Sequence, residues 1–326
     1  MPRAENGYWT NCYLHAAQPY TVPFSYELCD PHDCAACPHD VTSSGISEIP
    51  RRLPPSLAGI DRDAMVPQGI FITYNIVATL ADRNWVHKEA SQTIQFMPRF
   101  YKQPVLGSSR TYSTVKFTAI QQLKPRDFSG SPGQITLSAD EPHILVVQDS
   151  GRSYQTTDIL TSLHIESSKH QPALPSECIV SATLESLTWS QTKPMQNLPH
   201  ITKVKRCHSV SRPLMRDLKL SLVWEKVPPE DTRIAGSKTV NAFRAQVIVS
   251  LPALSAGKRV YIPSFYSCLI ARTYCLHILV IIASVPLRLA LPLQMVLESD
   301  EGNDTCPSDN VGLPAPESLN YSISAT

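Results

Sequence analysis

The chain has 326 residues, with 29 Lys and Arg against 28 Asp and Glu, and is 42% hydrophobic and 17% charged. At roughly 100–200 residues per domain that length suggests two domains with separate cores. The net charge of +1 argues against a nucleic-acid binder that depends on a global positive field, and the apolar content argues against a disordered chain.

The first residues, Met-Pro-Arg-Ala-Glu-Asn-Gly-Tyr-Trp, carry neither the apolar core of a signal peptide nor an arginine-rich amphipathic stretch. The nine cysteines are therefore expected to be reduced thiols in a cytoplasmic protein. Five ligand-type residues then crowd together: Cys29, His32, Cys34, Cys37 and His39. The two-residue gap of Cys34-Ala-Ala-Cys37 is that of a zinc knuckle, yet no second pair follows at the usual spacing, since the next cysteine is Cys178. No metal or other cofactor is expected.

Period two dominates the rest of the chain. Ile70–Leu80 places Ile70, Ile72, Tyr74, Ile76, Ala78 and Leu80 on one side, which reads as a half-buried strand. Gln103–Arg110 and Lys124–Gly133 are rich in Pro, Ser and Gly and read as linkers, with a domain boundary at or between them. Weaker strand signals lie near Thr111–Ile120, Gln134–Ala139, Ile144–Val147, Ile159–Ile165 and Cys178–Leu187. Stronger ones are Leu218–Trp224, Phe243–Leu251, Tyr274–Ile282 and Leu287–Leu297. Prolines, 28 in all, punctuate these runs and suit short strands better than a helical bundle. The longest unbroken apolar run in the hydrophobic region Cys268–Leu297 falls far short of a membrane span. After Ser299 the sequence turns acidic and then Pro- and Ser-rich, as a disordered tail over 300–326 would.

No nucleophile elbow, phosphate loop, dinucleotide fingerprint or zinc-protease motif occurs, so the chain is not expected to be an enzyme. The neighbouring carboxylates Asp140-Glu141 and Glu230-Asp231 sit beside prolines in expected turns. One charged feature stands apart. Lys203, Lys205, Arg206, Arg212, Arg216 and Lys219 are opposed only by Asp217. Of these, Lys203, Lys205, Arg206 and Arg212 make a candidate docking patch for anionic cargo or lipid headgroups. Arg216 and Lys219 are set aside because alternation around Leu218 ties them to packing. A solvated loop and strand face is the competing reading. Ser209 and Ser211 lie within the stretch and would suit control by phosphorylation.

Pro23-Phe24-Ser25-Tyr26, Leu53-Pro-Pro-Ser-Leu57 and Ile72-Thr-Tyr74-Asn-Ile76-Val-Ala78 recur in character in a known family, as do Ile262-Pro-Ser-Phe265, Ile270-Ala-Arg272-Thr-Tyr274 and Leu291-Pro-Leu-Gln294. Together they resemble the arrestin-like proteins, especially the fungal arrestin-related trafficking adaptors. The resemblance implies an all-β fold of two tandem immunoglobulin-like β-sandwiches. A partial N-terminal sandwich is expected over 1–105, incomplete because only about twenty residues precede the Phe24-like strand, and a C-terminal sandwich over 106–299. It also implies a non-enzymatic adaptor that binds the cytoplasmic tails of membrane-protein cargo in endocytosis, with peripheral membrane contact and a link to a ubiquitin ligase. The Pro-Pro-x-Tyr motif that recruits such ligases is missing: Pro54-Pro55-Ser56-Leu57 and Pro228-Pro229-Glu230-Asp231 both lack the tyrosine. The alternatives are a small metal-binding protein built on the Cys29–His39 cluster, and a truncated remnant without function.

Overall fold

Side chains that alternate apolar and polar can be buried on one side only when the backbone is extended, and the chain resolves that pattern into strands. The computed structural model describes residues 53–57, 63–65, 67, 69–81, 86–97, 117–124, 127, 132–139, 143–148, 151–168, 172–195, 207–228 and 241–298. These all fall within one compact unit, Pro31–Ser299. Among them every regular element is a strand, and there is no α-helix.

In chain order the strands begin with β1 (Tyr74–Ala81), β2 (Val86–Ile94), β3 (Phe117–Leu123), β4 (Gly133–Ala139), β5 (His143–Gln148), β6 (Ser153–Tyr154) and β7 (Thr157–Ser167). They continue with β8 (Glu177–Ser190), β9 (Cys207–Ser221), β10 (Glu225–Lys226), β11 (Asn241–Leu251) and β12 (Leu254–Ser255). The last three are β13 (Phe265–Tyr266), β14 (Ile270–Ile282) and β15 (Val285–Leu297). Five form an antiparallel sheet in the order β10-β11-β7-β4-β3. Eight form a second sheet, β12-β6-β5-β15-β14-β8-β9, with β13 also paired to β14. Its one parallel pairing joins β5 to β15.

The two sheets share a core. Ile135 and Leu137 of β4, Leu163 of β7 and Val247 of β11 pack in one cluster with Val180 of β8, Ile278 and Val280 of β14, and Leu287 and Leu289 of β15. All are buried. Burying one such side chain contributes about 1.5–3 kcal/mol, and along β11 and β15 every second residue does so.

A separate hairpin, β1 with β2, exposes most of its side chains on both faces. Its root is fixed by the edge-on contact of Tyr74 with Phe96, 5.1 Å between ring centres, and by the Tyr74 hydroxyl donating to the Pro54 carbonyl at 2.6 Å. Leu57, Ile70, Ile72 and Met97 around that root pack with Val260, Ile262 and Phe265.

Several expectations are refined. Lys124–Gly133 joins β3 to β4, neighbours in one sheet, so it is a hairpin loop and not a domain boundary. Around Leu218 the alternation breaks: Asp217 takes a left-handed φ of 51° at an irregular stretch of the β8–β9 register, and Leu218 is 42% exposed. Trp224 lies beyond the end of β9, where its indole N–H donates to the Pro175 carbonyl at 2.7 Å. The expected boundary after residue 105, the tail 300–326 and the strand near Phe24 lie outside the described residues. No helix among those described is long and apolar enough to cross a membrane.

The β14–β15 hairpin turns on Ala283 and Ser284, with φ of 43° and 75° between the paired Ile282 and Val285. Two left-handed residues are the mark of a type I′ turn, which favours Asn-Gly. Replacing Ala283 by Asn together with Ser284 by Gly is expected to raise unfolding free energy by about 1 kcal/mol, as relief of left-handed strain would. Urea denaturation checks this.

Candidate functional site

The basic stretch becomes strand β9, the last strand of the eight-stranded sheet among the described residues. Partners directly across an antiparallel pair share a face. Arg212 lies opposite Leu184 and therefore points inward, whereas Ser211 opposite Glu185 and Ser209 opposite Leu187 point outward. The Arg212 guanidinium donates to the Tyr261 hydroxyl at 2.5 Å and sits over the same ring, 5.6 Å from its centre. Tyr261 in turn meets Tyr154 edge-on at 5.3 Å. Burial pushes the Tyr154 phenol well above its ordinary range; Tyr261 adds to this and Arg212 opposes it. Burial likewise raises Tyr261 against the pull of Arg212.

Deeper on the same face lies an ion pair that periodicity did not disclose. Arg272 of β14 donates through Nη1 to Asp63 Oδ2 and through Nε to Thr188 Oγ1 at 3.1 Å. Both charged side chains are fully enclosed, at 0% and 1% exposure. Burial works against the Arg272 charge, but Tyr274 and Asp63 outweigh it and hold the proton more firmly than usual. The second oxygen of Asp63 accepts from the Met65 backbone N–H at 2.8 Å, and Ser186 Oγ donates to the Met65 carbonyl at 2.8 Å. A further backbone bond, Ala64 N–H to the Val260 carbonyl at 2.8 Å, completes the attachment. Residues 63–65 are thus fastened to β8 and β14 by charge, hydroxyl and backbone together.

The outer face of the same sheet differs. His277 Nε2 and Glu185 Oε2 lie 2.7 Å apart there, beside a buried patch of Leu187, Trp189, Met195, Ala271 and Cys275. Burial pushes the Cys178 thiol up to about 11 and, with help from Glu185, that of Cys275 up to about 12. The thiolate is the reactive form. Both cysteines are therefore expected to stay unmodified by iodoacetamide at pH 8 in the folded protein and to react once guanidinium unfolds it, as peptide mapping would show.

Of the four residues expected to form the docking patch, Arg212 is turned onto Tyr261, and Lys203, Lys205 and Arg206 lie outside the described residues. Arg216 and Lys219, set aside on sequence grounds, are exposed on β9. The irregularity at Asp217 is what frees them from the expected alternation. The Cys29–His39 cluster and the carboxylate pairs at Asp140-Glu141 and Glu230-Asp231 also lie outside the described residues. Among those described, no three His, Cys, Asp or Glu residues gather as a metal site would require. An arginine inside the apolar run Ile270–Ile282 was the one signal that could have revealed the ion pair, because a lone buried cation needs a carboxylate.

No protein-family model matches the chain, and no curated protein matches it.

Proposed function

We propose that the chain is a non-enzymatic adaptor of arrestin-like build, with two immunoglobulin-like sandwiches in tandem, that docks cytoplasmic tails of membrane-protein cargo during trafficking. What carries this reading is β9: a fifteen-residue strand at the end of a large sheet, with Arg216 and Lys219 exposed along it and Lys203, Lys205 and Arg206 just before it. A sheet margin of that kind suits an extended acidic peptide, with backbone pairing for affinity and charge for selection. A ubiquitin ligase would be recruited through some surface other than a Pro-Pro-x-Tyr motif, and headgroup contact through the same cations would keep the protein peripheral at membranes.

The test uses the full chain and an array of cytoplasmic tail peptides from membrane transporters, each with a scrambled control. Acidic tails are expected to bind several-fold more weakly at 0.5 M salt than at 0.05 M, because exposed charges are screened within about 10 Å already at 0.1 M. Charge reversal at Lys203, Lys205, Arg206, Arg216 and Lys219 is expected to abolish binding without unfolding the protein. Arg212 stays unchanged in that variant, since reversing it would break its contacts with Tyr261. If no tail exceeds its scrambled control at low salt, the adaptor reading is wrong.

A further inference from the structure

Ser209 is the third residue of β9, exposed, and on the outer face of the sheet opposite Leu187. Before it stand Arg206 at three residues and Lys205 at four, and the apolar Val210 follows. A kinase cleft that places carboxylates against an arginine three residues ahead of the acceptor hydroxyl reads this spacing through charge-assisted, bidentate contacts. Ser211 has His208 at the same offset and lacks that cation. Such clefts take their substrates extended, which is already the backbone conformation of β9. Because Ser209 lies so near the start of the strand, the pairings that must part for entry are those of Cys207, His208, Ser209 and Val210 with Trp189, Thr188, Leu187 and Ser186. Openings of a strand end lie far below the free energy of global unfolding.

We propose that Ser209 is a phosphorylation site for a basophilic serine/threonine protein kinase, and that the phosphate switches off the basic margin of β9. In the transfer, Ser209 Oγ bonds to the γ-phosphorus of ATP while the bond from that phosphorus to the β–γ bridging oxygen breaks. ADP leaves, and the hydroxyl proton passes to the base of the kinase. The product carries about −1.5 to −2 charge at neutral pH. It follows Lys203, Lys205 and Arg206 within six residues of sequence and opposes their positive charge. It also stands diagonal to Glu185, the partner of Ser211, and over the buried Leu187 and Trp189, where a dianion is unwelcome. Both effects oppose docking of an acidic peptide at this margin. The switch rests on the docking role proposed above; the modification itself does not.

The experiment incubates the folded full chain with the catalytic subunit of cyclic-AMP-dependent protein kinase and Mg-ATP and maps the phosphate by mass spectrometry. Phosphate is expected on Ser209, lost in Ser209→Ala and kept in Ser211→Ala. Arg206→Ala is expected to slow transfer by about tenfold or more, the scale of one lost charge-assisted contact. Equal incorporation by Ser209→Ala and the parent, or a phosphate mapped elsewhere, would overturn the assignment. Phosphorylated and unmodified chains are then compared at low salt on the acidic tail peptides of the array described above, where phosphorylation is expected to weaken binding by about tenfold. Equal binding of the two forms overturns the switch. Failure of the unmodified chain to bind at all defeats the docking role, and the switch with it, while the phosphate map still decides the site.

Discussion

Replacing Asp63 by alanine is expected to lower the unfolding free energy by about 3–5 kcal/mol, because it leaves the Arg272 guanidinium charged and enclosed without a counter-ion. Thr188 Oγ1 would still accept from Nε, but a neutral hydroxyl cannot balance a cation. The loss is not a measure of what the pair contributes, since two buried charges give up their hydration to meet. The double variant Asp63→Leu with Arg272→Met should therefore recover most of the deficit and finish within about 1 kcal/mol of the parent. Equilibrium urea unfolding followed by tryptophan fluorescence measures all three proteins. A single variant that costs under about 1 kcal/mol would mean that water reaches the pair. The same reasoning applies to a fragment that begins at Thr111. It lacks Asp63, Met65 and Leu57, so it exposes the inner cluster around Tyr261 and leaves Arg272 unpaired.

Leu163→Ala should cost about 2–5 kcal/mol, the range for removing a large aliphatic side chain from a rigid core. Leu163 is fully buried in β7 between Ala245 of β11 and Leu137 of β4, and it belongs to the cluster shared with β8, β14 and β15. Sheets held about 10 Å apart by many other contacts cannot close over one missing side chain, so the cavity persists and the cost should lie toward the upper end. Leu160 lies three residues earlier in the same strand but points outward beside Ile248; they are 49% and 55% exposed. Leu160→Ala should stay within about 0.5 kcal/mol. Similar midpoints for the two variants would show that β7 does not face the core as described.

How far the sequence discloses this arrangement follows from how each strand is solvated. Strands with one buried face announce themselves: β11 and β15 alternate cleanly, and Phe243–Leu251 and Leu287–Leu297 were legible from period two. Strand β2 was not, because Lys88, Glu89, Ser91 and Gln92 are exposed on both of its sides and leave no contrast to read. The first half of β9 hid because its inward positions include the charged Arg212 beside Val210 and Leu214, which blurs the apolar–polar contrast. The partnership of Asp63 with Arg272 spans 209 residues, and no local pattern encodes a contact at that separation. Arg212 shows a further limit. Its charge was visible, but the face it takes is set by its register against Leu184, which only the sheet defines.

Strand β15 follows every other described strand in sequence, yet it occupies the middle of the eight-stranded sheet, with β14 on one side and β5 on the other. Its parallel pairing with β5 joins Leu293 to His143 and Leu297 to Val147, partners 150 residues apart in sequence. A ribosome releases the chain from the N-terminal end, so β5, with β6 paired to it, emerges long before the strand it must lie against. Until then this half of the sheet has one bare margin, and so does β14. Contacts at such separation also close slowly in a free chain, because loop entropy is lost before any pairing is gained. The protein should therefore refold from denaturant over milliseconds to seconds rather than microseconds, and its newly made chain should spend that interval as a target for chaperones that cover unpaired strands.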